Sequence, residues 1–425
     1  MKQLFIKEQE FSNLKTRFLK LFSKESLIAL FAATIYFREF SAIFLVALTV
    51  FFLITNSINI KQLKKWKVFL LAAPLLVHIL FLWNNESLML GLKQTEKYLS
   101  FLLLPLLLSI KGLSYNKIIF YYSLLFGIIL SVILTVYLAL NFEQMILFIE
   151  GKEVWRMGYS IAKSFGSHAP ALNMHISLLA AINYHLLLNG GHKNGKLKFL
   201  RLALFLVSII VLLLVNTRLS IVLFIIYAIV SSLFNIRLIG IKKTLLVFGV
   251  CVVFLSVFPH TIFKITNKTF NQLEYVGKLD ELPNPEGQIY GSLVTRVTVW
   301  KETIELANKK PFIGYGASDS YENLFENYRV NNQKFLYKHK YKVHNQFLDF
   351  YLKFGILGPV SFIIFISLMF IISIKTRISY AIYFSFLFFS ANLFDDFMIR
   401  YDGIVFSLFW TFLFFLQNPD ENQEN

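Results

Sequence analysis

A polar stretch at residues 260–345 interrupts a chain that is otherwise a succession of apolar runs. Apolar segments flank it on both sides, so it is a loop held at two ends by the membrane. The 425 residues are 56% hydrophobic and include 47 phenylalanines, with a mean hydropathy of +0.60. A soluble domain cannot hide this much apolar surface. Twelve segments have the character of spans: 26–37, 41–57, 68–83, 98–110, 118–140, 169–190, 200–215, 219–236, 244–259, 346–372, 379–393 and 403–417. Several fall short of the ~20 residues a straight spanning helix needs. The expected fold is an all-α polytopic membrane protein with about twelve transmembrane helices and one long loop. It divides into residues 1–259 (helices one to nine), the loop at 260–345, and residues 346–425 (helices ten to twelve and a tail).

The formal charge of +17 raises the question of nucleic acid, and its distribution argues against that partner. Basic residues gather in every second connection: Lys61, Lys64, Lys65 and Lys67; Lys111 and Lys117; Lys193, Lys196, Lys198 and Arg201; Arg237, Lys242 and Lys243; Lys375 and Arg377. This alternation is the positive-inside pattern, and with twelve spans it puts both termini in the cytoplasm. The connections at 84–97, 141–168, 260–345 and 394–402 then face outward. The basic N-terminal residues precede no small-residue cleavage site, so they do not form a signal peptide. The lone Cys251 excludes an internal disulfide and any cysteine-based metal site.

Chemistry-bearing residues collect on the outward side. Arg218 stands in the very short turn Asn216-Thr217-Arg218-Leu219-Ser220. An arginine there either snorkels to headgroups or binds an anion at the mouth of a cavity. Within the loop, 270–290 is rich in Asn, Glu, Gly and Pro and reads as irregular. A helix is expected over 292–309, capped by Ser292 and stopped by Pro311, with Leu293, Val297, Trp300, Ile304 and Ala307 as its apolar stripe. Arg296 flanks that stripe near the helix N-terminus, where a cation calls for a nearby anion or acid. The plainer alternative is a surface salt bridge with Glu302 or with an acid elsewhere in the loop. Gly314-Tyr315-Gly316 permits a tight backbone path and is no nucleotide fingerprint. Tyr321, Phe325 and Tyr328 have the spacing of a short amphipathic helix. The basic run from Lys334 to Lys342 ends at His344 and Asn345, where the chain re-enters lipid, and Asp349 follows one turn later. A histidine at such a mouth has the right chemistry for a base at neutral pH. Asp395, Asp396, Arg400 and Asp402 crowd the last outward connection, as a buttressing ion-pair network or as a hydrated turn.

Three blocks together resemble the bacterial O-antigen ligase and polymerase family: Thr217-Arg218-Leu219-Ser220; Arg296…Trp300…Pro311-Phe312-Ile313-Gly314-Tyr315-Gly316; and His344-Asn345-Gln346-Phe347-Leu348-Asp349…Gly355-Ile356-Leu357-Gly358. The resemblance covers about residues 165–375. It implies a GT-C-like glycosyltransferase of the bacterial inner membrane, with its site facing the periplasm. The implied donor is a glycan on undecaprenyl pyrophosphate. The implied acceptor is lipid A–core oligosaccharide for a ligase, or a second lipid-linked repeat for a polymerase; family members that attach glycans to protein leave a protein acceptor open. The resemblance further implies no metal, no ATP and no other cofactor. By matching motifs, Arg218 and Arg296 correspond to the essential arginines and His344 to the essential histidine.

The physical character of those positions fits the implied roles. Pyrophosphate is a good leaving group, so cations that stabilise its developing charge matter more than a general acid. Arginine forks suit phosphate oxygens. His344 is the base expected to take the acceptor hydroxyl proton, with Asn345 or Asp349 as candidates to orient it. Lys340 and Lys342 are placed to guide acceptor phosphates. A single displacement inverts the anomeric configuration. The competing class is a transporter of lipid-linked sugar, which predicts internal repeats or helices interrupted at midplane depth; the polar content here is one-sided instead.

Overall fold

The computed structural model describes residues 23–417 apart from 56, 60–65, 151–153, 190–194, 237–239, 242–243, 246–248, 250–271 and 290–291. Among these residues the regular elements are helices, joined by one isolated antiparallel bridge between Ile58 and Ile110. Most of the expected ninth span, and Cys251 with it, lies outside the described residues, as does most of the N-terminal tail.

The expectation of about twelve spans, and of a GT-C-like arrangement built on that number, does not hold. Among the described residues four helices are long and apolar enough to cross a membrane: Tyr115–Leu140, Ala169–Asn189, Gly195–Val215 and Leu357–Lys375. The other apolar runs fold into shorter pieces. Residues 68–83 break at Ala72 into Trp66–Leu71 and Ala73–Leu80, with Pro74 opening the second piece. Residues 98–110 hold the end of the 3-10 turn Lys97–Leu99, which follows Leu88–Glu96, and then Ser100–Leu108 with Pro105 inside; this α-helical piece alone reaches roughly 14 Å against a hydrocarbon core of roughly 30 Å. The run 26–37 stops at Ala33, and a turn at Thr34–Phe37 leads into Arg38–Ile54. Arg218–Phe234, Ser379–Phe394 and Tyr401–Leu416 are apolar but only 16 or 17 residues long. Hydropathy counted apolar residues correctly and missed the turns between them.

The bundle is organised around Ala169–Asn189, whose residues from Ala171 to Tyr184 are all buried. It packs against Gly195–Val215, Arg218–Phe234 and Ser379–Phe394. The outer helices each leave an apolar stripe exposed at a period of four: Ile128, Val132 and Val136; Leu202, Leu206 and Ile210; Val222, Ile226 and Val230. Apolar stripes on the outside and a packed apolar inside are the pattern of a multi-pass membrane protein.

The long loop has a core of its own. Leu279, Leu282, Ile289, Val294, Val299 and Leu306 pack with Leu324, Tyr328, Leu336 and Val343. The 272–289 stretch, expected to be irregular, is pinned to this core: the Asp280 carboxylate accepts from the Phe335 N–H at 2.9 Å, and the Gly277 N–H donates to the Thr298 hydroxyl at 3.0 Å. The expected helix forms as Leu293–Ala307, with the Ser292 side chain accepting from the Thr295 N–H. Its buried face is not the expected stripe. Val294, Thr295, Thr298, Val299, Glu302 and Thr303 are buried, whereas Ile304 is exposed. The threonines can turn inward because their hydroxyls bond backbone carbonyls, Thr298 to Val294 and Thr303 to Val299. Glu302 is satisfied by the side-chain amides of Asn327 and Asn331, at 3.0 and 2.7 Å.

Candidate functional site

His344 occupies the turn between the loop and the helix Gln346–Phe354. Its φ of 51° lies in the left-handed region, a conformation that costs energy for a residue with a Cβ and persists only where neighbours impose it. They do so from both sides. The Trp300 indole donates to the Val343 carbonyl at 3.0 Å. Asn345 caps the following helix, its side-chain oxygen accepting from the N–H groups of Phe347 and Leu348 at 3.0 and 3.1 Å while its amide donates to the Leu393 carbonyl. The imidazole therefore has a fixed direction. Its Nδ1 lies 3.2 Å from Asp395 Oδ1, and the His344 N–H points to Asp396 Oδ2 at 3.4 Å. The partner of the ring is Asp395, and neither Asn345 nor Asp349 fills that role. The His344 side chain is 31% exposed and the Asp395 side chain 13%, so the ring can be reached while its anchor is enclosed.

The two adjacent aspartates are shifted in opposite directions. Burial alone would raise the Asp395 carboxyl, but the hydrogen bond and charge of His344 outweigh it and hold the group below the usual carboxylate range. Burial, then the negative charge of Asp395, pushes Asp396 up. His168 lies in the same field. Burial first and the Arg400 charge second push it down to about 4, with Asp395 opposing and His344 adding to the shift.

Asp349 sits at the centre of a second network. It is fully buried, accepts from the Tyr321 hydroxyl at 2.7 Å, pairs with Lys353 at 2.7 Å and takes a 3.3 Å bond from Gln346. The Tyr321 hydroxyl also reaches Asp396 Oδ2 at 3.3 Å, which joins this network to the His344 turn. The glycine blocks explain how the helix is gripped. Tyr315 and Gly316 donate to the carbonyls of Leu352 and Lys353, and Ile356 donates to that of Pro311, all at 2.8–2.9 Å. A Cβ at Gly314 would lie 2.4 Å from the Lys353 carbonyl carbon, and one at Gly355 would lie 2.4 Å from that of Phe312. Gly314-Tyr315-Gly316 and Gly355-Ile356-Leu357-Gly358 thus close on each other around the helix that carries Asp349.

The arginines come from two other elements. Asn216, at φ 53°, makes the tight reversal before Arg218, and the Asn173 amide ties Thr217 to the central helix at 2.6 Å. Arg296 is one helical turn before Trp300 and approaches Arg218 closely enough for the two positive charges to interact. The half-buried Arg296 guanidinium has no acid and no hydrogen-bond partner among the described residues. Glu302, its plainer partner in the sequence, is turned to Asn327 and Asn331. Two like charges within electrostatic reach of each other suit an anion.

The structure separates the two predicted lysines. Lys342 lies over the Tyr321 ring at 5.2 Å, beside the Asp349 network. Lys340, at φ 46°, ends the short helix Lys334–His339 and is exposed. The rest of the basic run is partly neutralised, since Glu286 pairs with Lys338 and with His339. Asp395 as ring partner carries no sequence signal at His344, from which it is 51 residues away. Its adjacency to Asp396 beside Arg400 was the only mark. His344, Asp395 and Asp396 also offer three potential ligand atoms within 4.8 Å of one another, the one such grouping among the described residues. One oxygen of each carboxylate is engaged, Asp395 Oδ1 with the imidazole and Asp396 Oδ2 with the His344 N–H and the Tyr321 hydroxyl, an arrangement suited to orienting a base.

No curated protein matches the chain. Residues 203–363, a segment that spans the Arg218 turn, the Arg296 helix, His344 and both glycine blocks, match the model of the O-antigen ligase family.

Proposed function

We propose that the chain is an O-antigen ligase of the bacterial inner membrane, acting at the periplasmic face. It transfers a glycan from undecaprenyl pyrophosphate to lipid A–core oligosaccharide by a metal-independent, inverting displacement. The observation that carries this reading is a histidine oriented by Asp395, with the Arg296 helix tied to its turn by the Trp300–Val343 bond and Arg218 within electrostatic reach of Arg296. With Nδ1 donating to Asp395, the lone pair of His344 lies on Nε2, the nitrogen free to accept a proton. The acceptor hydroxyl gives its proton to Nε2 as its oxygen forms a bond to C1 of the donor sugar. The C1–oxygen bond to pyrophosphate breaks, and the electron pair leaves with undecaprenyl pyrophosphate. Arg218 and Arg296 bind that pyrophosphate and stabilise the charge it gains. Asp395 stabilises the imidazolium formed in the step. Asn345 and Asp349 act at a distance from substrate, by capping and by anchoring the helix that follows His344.

The ligase reading is tested with purified protein, a lipid-linked glycan donor and two acceptors offered separately. Transfer to lipid A–core, unchanged by a chelator, is the expected result. Transfer only to a second lipid-linked repeat would make the chain a polymerase, and loss of activity with the chelator would overturn the metal-independent mechanism.

A further inference from the structure

Behind the His344 turn lies a cavity of about 120 Å³ whose walls include Gln94, Lys97, Tyr321, Lys342 and Lys353. Three ammonium groups therefore share one small space. Asp349, the fully buried acid paired with Lys353, is also held by Tyr321 and Gln346, and Asp396 accepts from Tyr321. Burial first, and then the charges of Lys353 and Lys342, weaken the hold of Lys97 on its proton, with Asp349 opposing. Lys342 and Lys353 both stand against the Tyr321 ring, at 5.2 and 5.1 Å. Lys97 donates to Gln94 Oε1 at 2.8 Å, which leaves the Gln94 amide N–H groups as further donors. Cations gathered against their mutual repulsion around a polar cavity call for an anion. Lysines are compact point charges that can converge on a tetrahedral dianion from several directions, whereas the Arg218–Arg296 pair offers planar forks.

We propose that this cavity is a phosphate pocket formed by Lys97, Lys342 and Lys353, distinct from the arginine pair. Two sources carry that chemistry: a phosphate on the acceptor glycolipid, which rests on the ligase reading above, and an anionic phospholipid headgroup, which does not. A phosphate held here sits one hydrogen-bonded relay from His344, through Tyr321 and Asp396. An acceptor anchored by its phosphate would thus be registered against the base.

The test is amine labelling of the purified full-length chain in neutral detergent, read residue by residue by mass spectrometry, so that it needs no turnover. Inorganic phosphate, compared with chloride at equal ionic strength, is expected to slow labelling of Lys97 and Lys342 by about fivefold or more at saturation. The exposed Lys301 should label at an unchanged rate. Lys97→Gln should abolish the protection of Lys342. Equal labelling in phosphate and chloride, or full protection of Lys342 in Lys97→Gln, would overturn the pocket. Protection in phosphatidylglycerol nanodiscs without added phosphate assigns the anion to a headgroup. Protection by lipid A–core but not by those nanodiscs assigns it to the acceptor, and then Lys97→Gln should raise the acceptor KM about tenfold with little change in kcat.

Discussion

In the apolar helices some buried hydroxyls bond only their own helix, Ser208 to the Leu204 carbonyl and Thr411 to Ser407, while Ser177, Tyr184 and Ser373 reach neighbouring helices at Tyr383, Ser232 and Ser385. Around the His344 turn, buried polar groups reach across the chain. Tyr98 bonds the Met398 carbonyl, Asn84 that of Ile313, Tyr321 both Asp349 and Asp396, and His344 the carboxylate of Asp395. The first kind of bond keeps a helix intact in lipid and asks nothing of its neighbours. The second kind sets the position of one segment against another. Bonds between segments occur in both regions; around the His344 turn they centre on carboxylates, Asp349, Asp395 and Asp396.

The comparison is tested most severely at Arg296, whose guanidinium has no hydrogen-bond or acid partner among the described residues and which we propose binds the donor pyrophosphate. Arg296→Ala should lower glycan transfer by about 10²–10³-fold, the scale of removing one donor to developing charge. Arg296→Lys should recover little of it, because a single ammonium cannot replace a fork. Both variants should melt like the wild type. Near-normal transfer with Arg296→Ala would remove this residue from the pyrophosphate site.

Stability should show the reverse order. Asp349→Ala leaves Lys353 buried without its partner and should cost about 3–5 kcal/mol. Ser208→Ala removes a hydroxyl that serves only its own helix and should cost about 1 kcal/mol or less. Chemical denaturation of the two variants in detergent measures the difference. Equal losses would mean that local and remote polar bonds are not distinct in this fold.

A smaller effect is expected from His168. Its folded-state pKa is depressed to about 4 from an ordinary value of 6.5, so the unfolded chain binds the proton first as pH falls. Stability should therefore decline between pH 6.5 and pH 4 and be unaffected by this group at higher pH. His168→Gln cannot take up that proton and should decline less over the same window. Thermal unfolding at pH 7, 5 and 4 checks this, and parallel declines would show that His168 is not held neutral.

Much of the site is legible in the sequence, and the reasons for the rest are physical. The loop boundary at His344, the Ser292 cap and the helix ending before Pro311 follow from local chemistry, which the chain states locally. The glycine blocks announce a tight path but not their mutual contact, because each needs the other to show what it is avoiding. The role of Asp395 is hidden for the same reason, since a partner 51 residues away leaves no spacing to read. The buried face of Leu293–Ala307 is mis-phased from hydropathy because Thr295, Thr298 and Glu302 are polar by type and satisfied by hydrogen bonds in place. The number of spans is overstated because phenylalanine-rich runs look continuous across turns such as Ala72 and Thr34–Phe37.

The central claim is that His344, set by Asp395, is the base for transfer. Its most direct test is the single-turnover rate of glycan transfer from lipid-linked donor to lipid A–core, compared between wild type and His344→Ala at saturating substrates. A general base is worth about 10²–10⁴-fold, so a loss of that size with donor binding retained is the predicted result. A transfer rate within a few-fold of wild type would contradict the account.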